Sequence, residues 1–185
     1  MCYTCRVGTC IIFSAIDGKV LNLFILYVVV NPKLNFQLNA TETLTACNRS
    51  LFALRTIKHH GLDEHMLQVT FKATTLAKLL YASPVWSGFL SRSLLDRYKA
   101  FLRRAMRFSF YSPSGPCFEA LLASADQNLF KKVLNNEEHV LYPKLPPEKS
   151  TGYFLRSTTL ARCFAVKDDH NFLNRLLFSR LYNAK

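Results

Sequence analysis

The sequence is short of acids, of glycine and of long apolar runs, and each shortage closes off a class of protein. Asp and Glu number 12 against 24 Lys and Arg, leaving a formal net charge of +12. An excess that large calls for an acidic partner, either nucleic acid or an anionic membrane surface. The 6 glycines are scattered, and no glycine-rich phosphate loop can be drawn from them. Cysteine numbers 6, with three in the first ten residues, a spacing too uneven for a secreted disulfide framework. These read as reduced thiols. Cys2, Cys5 and Cys10 look like the start of a zinc knuckle, but a structural zinc takes four ligands, and the next candidates are Cys47 and His59. What is plentiful is apolar surface. Of 185 residues, 50% are hydrophobic, enough for a real core in one ordinary domain or two very small ones.

Residues 1–39 differ from those that follow. The apolar run from Val20 to Val30 is about half the length needed to span a bilayer. Extending it back to Ile11 brings in Asp17 and Lys19, each costly in hydrocarbon. Its length suits a signal-peptide core, although no clear small-x-small cleavage site follows it. A buried β-strand fits equally well, because Tyr27 is followed by three β-branched residues, Val28, Val29 and Val30.

From Asn39 onward the pattern is helical. Asn39 and Glu42 have capping-box spacing, and Leu44, Cys47, Leu51, Leu54 and Ile57 follow at steps of three and four. Gly61 supplies the stop. Asp63 can cap a second helix carrying Leu67, Phe71, Leu76 and Leu80, ended by Pro84. Ser93 and Asp96 form a capping pair before a third helix, with Leu94, Leu95, Tyr98, Phe101, Leu102 and Ala105 on its apolar side. Two shorter helices are expected at about 116–122 and 125–134, then a Pro-rich linker over 143–152. A last helix is expected after Asp169, carrying Phe172, Leu173, Leu176, Leu177 and Leu181.

The third helix holds the most chemistry. Arg97, Lys99, Arg103, Arg104 and Arg107 sit on it, with Asp96 as its only acid. At about 100° per residue, Arg97, Arg104 and Arg107 share one face, and Lys99 and Arg103 fall on another. Such a helix can clamp a phosphate backbone through salt-sensitive guanidinium contacts. A solvated basic face satisfies the same pattern. Asp168-Asp169 invites comparison with the metal-binding pair of polymerases. The residues before it are Val166-Lys167, the third metal-binding aspartate on an upstream strand is missing, and helix capping by Asp169 explains the pair more simply. His59 and His60 lie near a helix end, and His65, His139 and His170 are isolated, with no zincin spacing. Asn39-Ala-Thr41 and Asn48-Arg-Ser50 are formal glycosylation sequons, of consequence only in a secreted chain.

A series of short segments carries a resemblance. Ser50-Leu-Phe-Ala-Leu-Arg-Thr-Ile-Lys-His-His-Gly-Leu62 and Ala77-Lys-Leu-Leu-Tyr-Ala-Ser-Pro-Val-Trp-Ser-Gly-Phe89 open it. Phe101-Leu-Arg-Arg-Ala-Met-Arg107, Ala125-Asp-Gln-Asn-Leu-Phe-Lys-Lys-Val-Leu134 and His139-Val-Leu-Tyr-Pro-Lys-Leu-Pro-Pro147 continue it. Tyr153-Phe-Leu-Arg156 and Asn171-Phe-Leu-Asn-Arg-Leu-Leu177 complete it. In this order, from about Leu44 to Leu181, they resemble the region after the palm in animal non-LTR retrotransposon reverse transcriptases. The resemblance rests on the ordered series, since no single segment is specific. Two departures stand out: Ser157-Thr-Thr-Leu160 follows Tyr153-Phe-Leu-Arg156 where the family commonly has a further arginine and a histidine, and Cys163-Phe-Ala-Val166 stands where a Leu-Pro is typical.

The resemblance implies a helical thumb and a short carboxy-terminal extension. The palm and fingers, with their metal-binding aspartates, would precede residue 40, so a truncated or degenerate copy is expected. The expected fold class is therefore mainly α, a small thumb-like helical bundle with an irregular carboxy-terminal extension and an apolar amino-terminal segment of open structure. The expected divisions are 1–39, 40–142 and 143–185. The expected function is that of a catalytically incomplete part of an RNA-directed DNA polymerase, with no catalytic residue, metal, cofactor or small-molecule substrate. It would bind template–primer duplex without sequence preference through phosphate contacts from Arg97, Arg103, Arg104 and Arg107, and it would act in the nucleus or cytoplasm. Tyr81, Pro84, Trp86 and Phe89 are expected to pack a turn between helices. The competing reading is a small basic membrane-associated or secreted protein targeted by residues 20–30.

Overall fold

Helix formation dominates this chain, as its periodicities predict. A computed structural model describes residues 2–3, 11–16, 19–25, 28–30, 36–146, 168 and 170–178. Contacts divide the chain into two units, Met1–Ala82 with Phe89–Ala120, and Ser83–Gly88 with Leu121–Lys185. This division differs from the three sequence segments. Residues before 40 group with the first helices, and a boundary falls near the start of a long helix.

In the first unit, strands β1 (Cys2–Tyr3), β2 (Ile11–Ile16), β3 (Lys19–Ile25) and β4 (Val28–Val30) form an antiparallel sheet in sequence order. The pairing of β2 with β3 shifts register between Ser14 and Ala15. The apolar run thus contributes residues 20–25 to β3 and 28–30 to β4, with Ile25 opposite Val28 and Leu23 opposite Val30. Its aromatic and β-branched residues suit a pleated surface. Cys5 and Cys10 lie outside the described residues. Among those described, no helix is long and apolar enough to cross a membrane.

Helix α1 (Gln37–His59) begins two residues before the expected cap, and Phe36 at its N-cap makes no side-chain capping bond. A tertiary contact anchors this end instead: Phe36 is buried, with its ring 5.3 Å from that of Phe89. Asn39 is therefore inside the helix, and buried. Leu44, Cys47, Leu51 and Leu54 are buried as the spacing predicts, but Ile57 is 41% exposed. Gly61 ends the element at φ 88, in the left-handed region that glycine enters without steric cost.

Helix α2 (Glu64–Thr70) starts where expected, with the Asp63 carboxylate accepting from His65 N at 3.0 Å. Its continuation is irregular. Residues Phe71–Leu76 form a π-helical turn, followed by α3 (Ala77–Leu80). A π turn shifts the helix phase relative to regular α spacing, so Leu79 is fully buried while Leu80, expected in the core, is only partly so. The helix stops at Leu80, and Pro84 lies inside the next short one rather than ending this one.

Helix α5 (Arg92–Arg107) contributes Leu94, Tyr98, Phe101, Leu102 and Ala105 to the core of the first unit. The ring of Phe101 lies 6.4 Å from that of Phe71, and that of Tyr98 4.9 Å from that of Phe118. A fully buried aromatic or aliphatic side chain of this size is worth about 1.5–3 kcal/mol. Such burial, not helix propensity, holds these elements.

The second unit contains α4 (Ser83–Trp86), with Trp86 1% exposed, and a 3-10 turn that begins at Ser87 and runs to Phe89 of the first unit. Of the four residues expected to pack this turn, Trp86 is buried, Pro84 is partly so, and Tyr81 and Phe89 are 51% and 38% exposed. Helix α6 (Phe118–Asn135) is one element where two were expected. Nothing between Leu122 and Ala125 breaks a helix, since both intervening residues, Ala123 and Ser124, are tolerated there. After a 3-10 turn at Tyr142–Lys144 comes α7 (Phe172–Phe178). Leu176, Leu177 and Phe130 form the core here, with Leu134, Leu145, Phe172 and Leu173 packed against it. Leu181 lies outside the described residues.

Candidate nucleic-acid interface

Helix α5 is set by its own sequence and by two neighbours. Ser91, not Ser93, caps it, the hydroxyl accepting from Leu94 N at 3.4 Å. At its other end Ser109 takes a left-handed conformation, φ 64. Ser109 N donates to Met106 O and Phe110 N to Ala105 O, the two bonds of a Schellman closure. Tyr98 fixes the helix against α1 by donating from its buried hydroxyl to Ala40 O at 2.9 Å. Burial pushes that phenol far above its ordinary pKa, so it remains a donor at any physiological pH.

This anchoring decides which residues face solvent. At 100° per residue, the buried Leu94, Tyr98, Phe101, Leu102 and Ala105 occupy an arc of about 100°. Arg92, Lys99, Arg103, Arg107, Arg104 and Arg97 fall together, with the exposed Asp96 among them, in an opposite arc of about 160°. The two sets of basic residues separated in the sequence reading are thus halves of one surface. Arg97, Arg103, Arg104 and Arg107 are all exposed.

Their engagement differs. Lys99 is tied up, its Nζ 2.7 Å from Glu119 Oε1. Arg104 donates from Nη2 to Asn48 Oδ1 of α1 at 3.0 Å, and its guanidinium carbon lies 6.0 Å from the Phe101 ring centroid. That bond orients the side chain and leaves other N–H groups for an acceptor. Arg97, Arg103 and Arg107 make no hydrogen bond or ion pair among the described residues.

Helix α1 adds cations that the sequence reading did not assign to this site. Lys58 Nζ donates to Phe108 O at 2.9 Å, just past the end of α5, and Arg55 lies 4.6 Å above the Phe108 ring. Between Asn48 and Arg55 stands Phe52, 70% exposed. A signal was there to be read: from Leu44 to His59, α1 carries Arg49, Arg55 and Lys58 and no acid. Which face they occupy depends on the packing of α1 on α5, which periodicity within one helix does not specify.

The other candidates do different work. Asp168 Oδ1 accepts from His170 N at 2.9 Å in a local turn, and the cap of α7 is Asn171, whose Oδ1 accepts from Leu173 N at 3.0 Å. Asp169 lies outside the described residues. A cavity of about 460 Å³ opens beside the π turn, with Asn39, Thr43, Thr74 and Lys78 in its walls. Among the described residues, Lys78 is the only charged group lining it. Among the described residues, no three His, Cys, Asp or Glu side chains are grouped so as to hold a metal ion. Comparison of the chain with family models, with curated proteins and with solved structures gives no match in any of the three.

Proposed function

We propose that this chain grips nucleic acid by its sugar–phosphate backbone, as the thumb-like part of an RNA-directed DNA polymerase of the non-LTR retrotransposon kind, and carries out no phosphoryl transfer itself. The observation that carries the proposal is the basic arc of α5, where Arg92, Arg97, Arg103, Arg104 and Arg107 are all exposed opposite the buried face, with Asp96 the one acid among them. The ordered resemblance from Leu44 to Leu181 supplies the polymerase part of the reading. Arg97, Arg103 and Arg107 would meet phosphates directly, and Arg104, steadied by Asn48, would meet one from a fixed position. Backbone contacts of this type set register without reading sequence. The place of action would be the nucleus or cytoplasm.

Counterion release makes the proposal quantitative. Three or four phosphates neutralised on B-form DNA give a log–log salt slope of roughly −3 to −4. Replacing Arg103 and Arg107 with glutamine removes two of them and is expected to flatten the slope by about two, with helix content unchanged. Affinity for one duplex and one RNA–DNA hybrid at several salt concentrations measures this, and an unchanged slope in the double variant rules the arc out as the clamp. Primer extension with magnesium or manganese is expected to give no product. Incorporation that persists through repurification would overturn the second half of the proposal.

A further inference from the structure

Phe52 is the residue that the phosphate clamp leaves unused. It lies in the middle of α1 and is 70% exposed, more than any other aromatic side chain among the described residues. Isolated surface aromatics are common and require no explanation in themselves. The surroundings of this one are unusual in chemistry. On a helix, residues three and four apart are neighbours, which sets Asn48, Arg49, Arg55 and Thr56 around Phe52. Asn48 receives the Arg104 guanidinium from α5 at 3.0 Å, so the basic arc reaches to within one helical turn of the ring. Arg49 and Arg55 are themselves exposed. The only acid of α1 is Glu42, ten residues away and roughly 15 Å along the axis.

We propose that Phe52 stacks on an unpaired nucleobase, so that the surface shared by α1 and α5 binds a junction between duplex and single strand in preference to uninterrupted duplex. The proposal rests on the phosphate-binding reading of α5 and specifies its ligand further. An exposed aromatic ring with an exposed arginine one turn to either side, Arg49 and Arg55, has the composition of a stacking platform in a single-strand groove, where the cations follow the backbone and the ring takes a base. Inside a duplex every base is already stacked on its neighbours, and the ring has no face to meet. At a junction the arginines of α5 can hold duplex phosphates while the first unpaired base rests on Phe52. Arg49 and Arg55 then lie on either side for the phosphates of the single strand. A dry protein contact would call for apolar neighbours around the ring, and these positions hold cations and polar groups instead.

The test uses the full chain and two hairpins with the same duplex, one blunt and one with an overhang of several unpaired bases, 2-aminopurine being the first of these. The wild type is expected to bind the overhang hairpin roughly tenfold more tightly and to quench the 2-aminopurine. Phe52→Ala is expected to remove the tenfold difference and the quenching, with blunt-hairpin affinity, salt slope and thermal melting unchanged. Phe52→Trp is expected to restore both. Equal binding of the two hairpins by the wild type, with blunt binding intact, overturns the stacking proposal and leaves the phosphate clamp standing. Binding of neither hairpin overturns both. Loss of binding to phosphatidylserine vesicles in Phe52→Ala, with hairpin preference unchanged, overturns it in favour of a membrane-facing ring.

Discussion

Arg175 of α7 meets Asp126 of α6 at 2.7 Å, Nη2 to Oδ2, and the same nitrogen donates to Ser87 Oγ at 3.1 Å. The other half of each charged group, Arg175 Nη1 and Asp126 Oδ1, is buried without a hydrogen-bond partner among the described residues. A buried pair only half satisfied adds little net stability, but removing one side strands the other charge. Asp126→Ala is therefore expected to lower stability by about 3 kcal/mol. The Asp126→Leu, Arg175→Met double variant is expected within about 1 kcal/mol of the wild type. Urea denaturation of the three chains measures this, and equal losses in single and double variants would contradict it.

The same carboxylate makes a pH prediction. Burial raises the Asp126 pKa above its ordinary value, outweighing the opposite pull of the Arg175 guanidinium. The folded chain therefore binds this proton more tightly than the unfolded chain. Its contribution to stability is full below the unfolded value and is lost as pH rises through the folded one. Relative to Asp126→Asn, the wild type is expected to gain stability as pH is lowered from about 7 towards the ordinary carboxylate range. Melting temperatures of the two chains across that range decide it. A difference that stays flat, or shrinks on acidification, reverses the sign of the argument.

Ser109 closes α5 in a conformation that costs an L-residue energy. The Schellman bonds around it are backbone bonds and survive any change of side chain. Ser109→Gly is expected to raise stability by roughly 0.5–1 kcal/mol, the relief of strain exceeding the added freedom of the unfolded chain. Equilibrium unfolding gives the number, and a destabilised variant would mean that the serine side chain does more than occupy space.

Cys47 is buried in α1, its thiol donating to Thr75 O at 3.7 Å, and burial raises its pKa to about 11. The thiolate is the reactive species, so at pH about 8 iodoacetamide is expected to spare Cys47 in the folded chain. Cys117, which is exposed, is expected to react. In urea both should be modified. Peptide mass mapping before and after unfolding distinguishes them, and rapid modification of Cys47 under native conditions would show that α1 opens locally.

Local signals in the sequence carried much of this fold. Leu44, Cys47, Leu51 and Leu54 share one helix face, Asp63 caps α2, and Gly61 stops α1, all because the relevant interactions span four residues or fewer. Long-range contacts account for what was missed. Phe89 fixes the start of α1 through Phe36. Asp126, inside a single helix where two were expected, is a buried residue committed to Arg175. The basic arc of α5 was visible because charge and burial alternate within a single helix. The parts played by Asn48, Phe52, Arg55 and Lys58 were not, since they depend on how α1 lies against α5.

The π turn at Phe71–Leu76 bears on how strictly chain length is specified there. At regular α-helical pitch, the buried Leu67, Phe71, Thr75, Leu76 and Leu79 would spread over about half the circumference. With one residue removed between 72 and 74, the same five fall within about 100°. The wide turn therefore absorbs one surplus residue, and it does so on a stretch where Lys72, Ala73 and Thr74 are all exposed. Deletion of Ala73 should be accommodated by an ordinary α-turn, leaving the inward-facing side chains in place. Most helices lose their core when a residue is taken out; this one has a residue to spare.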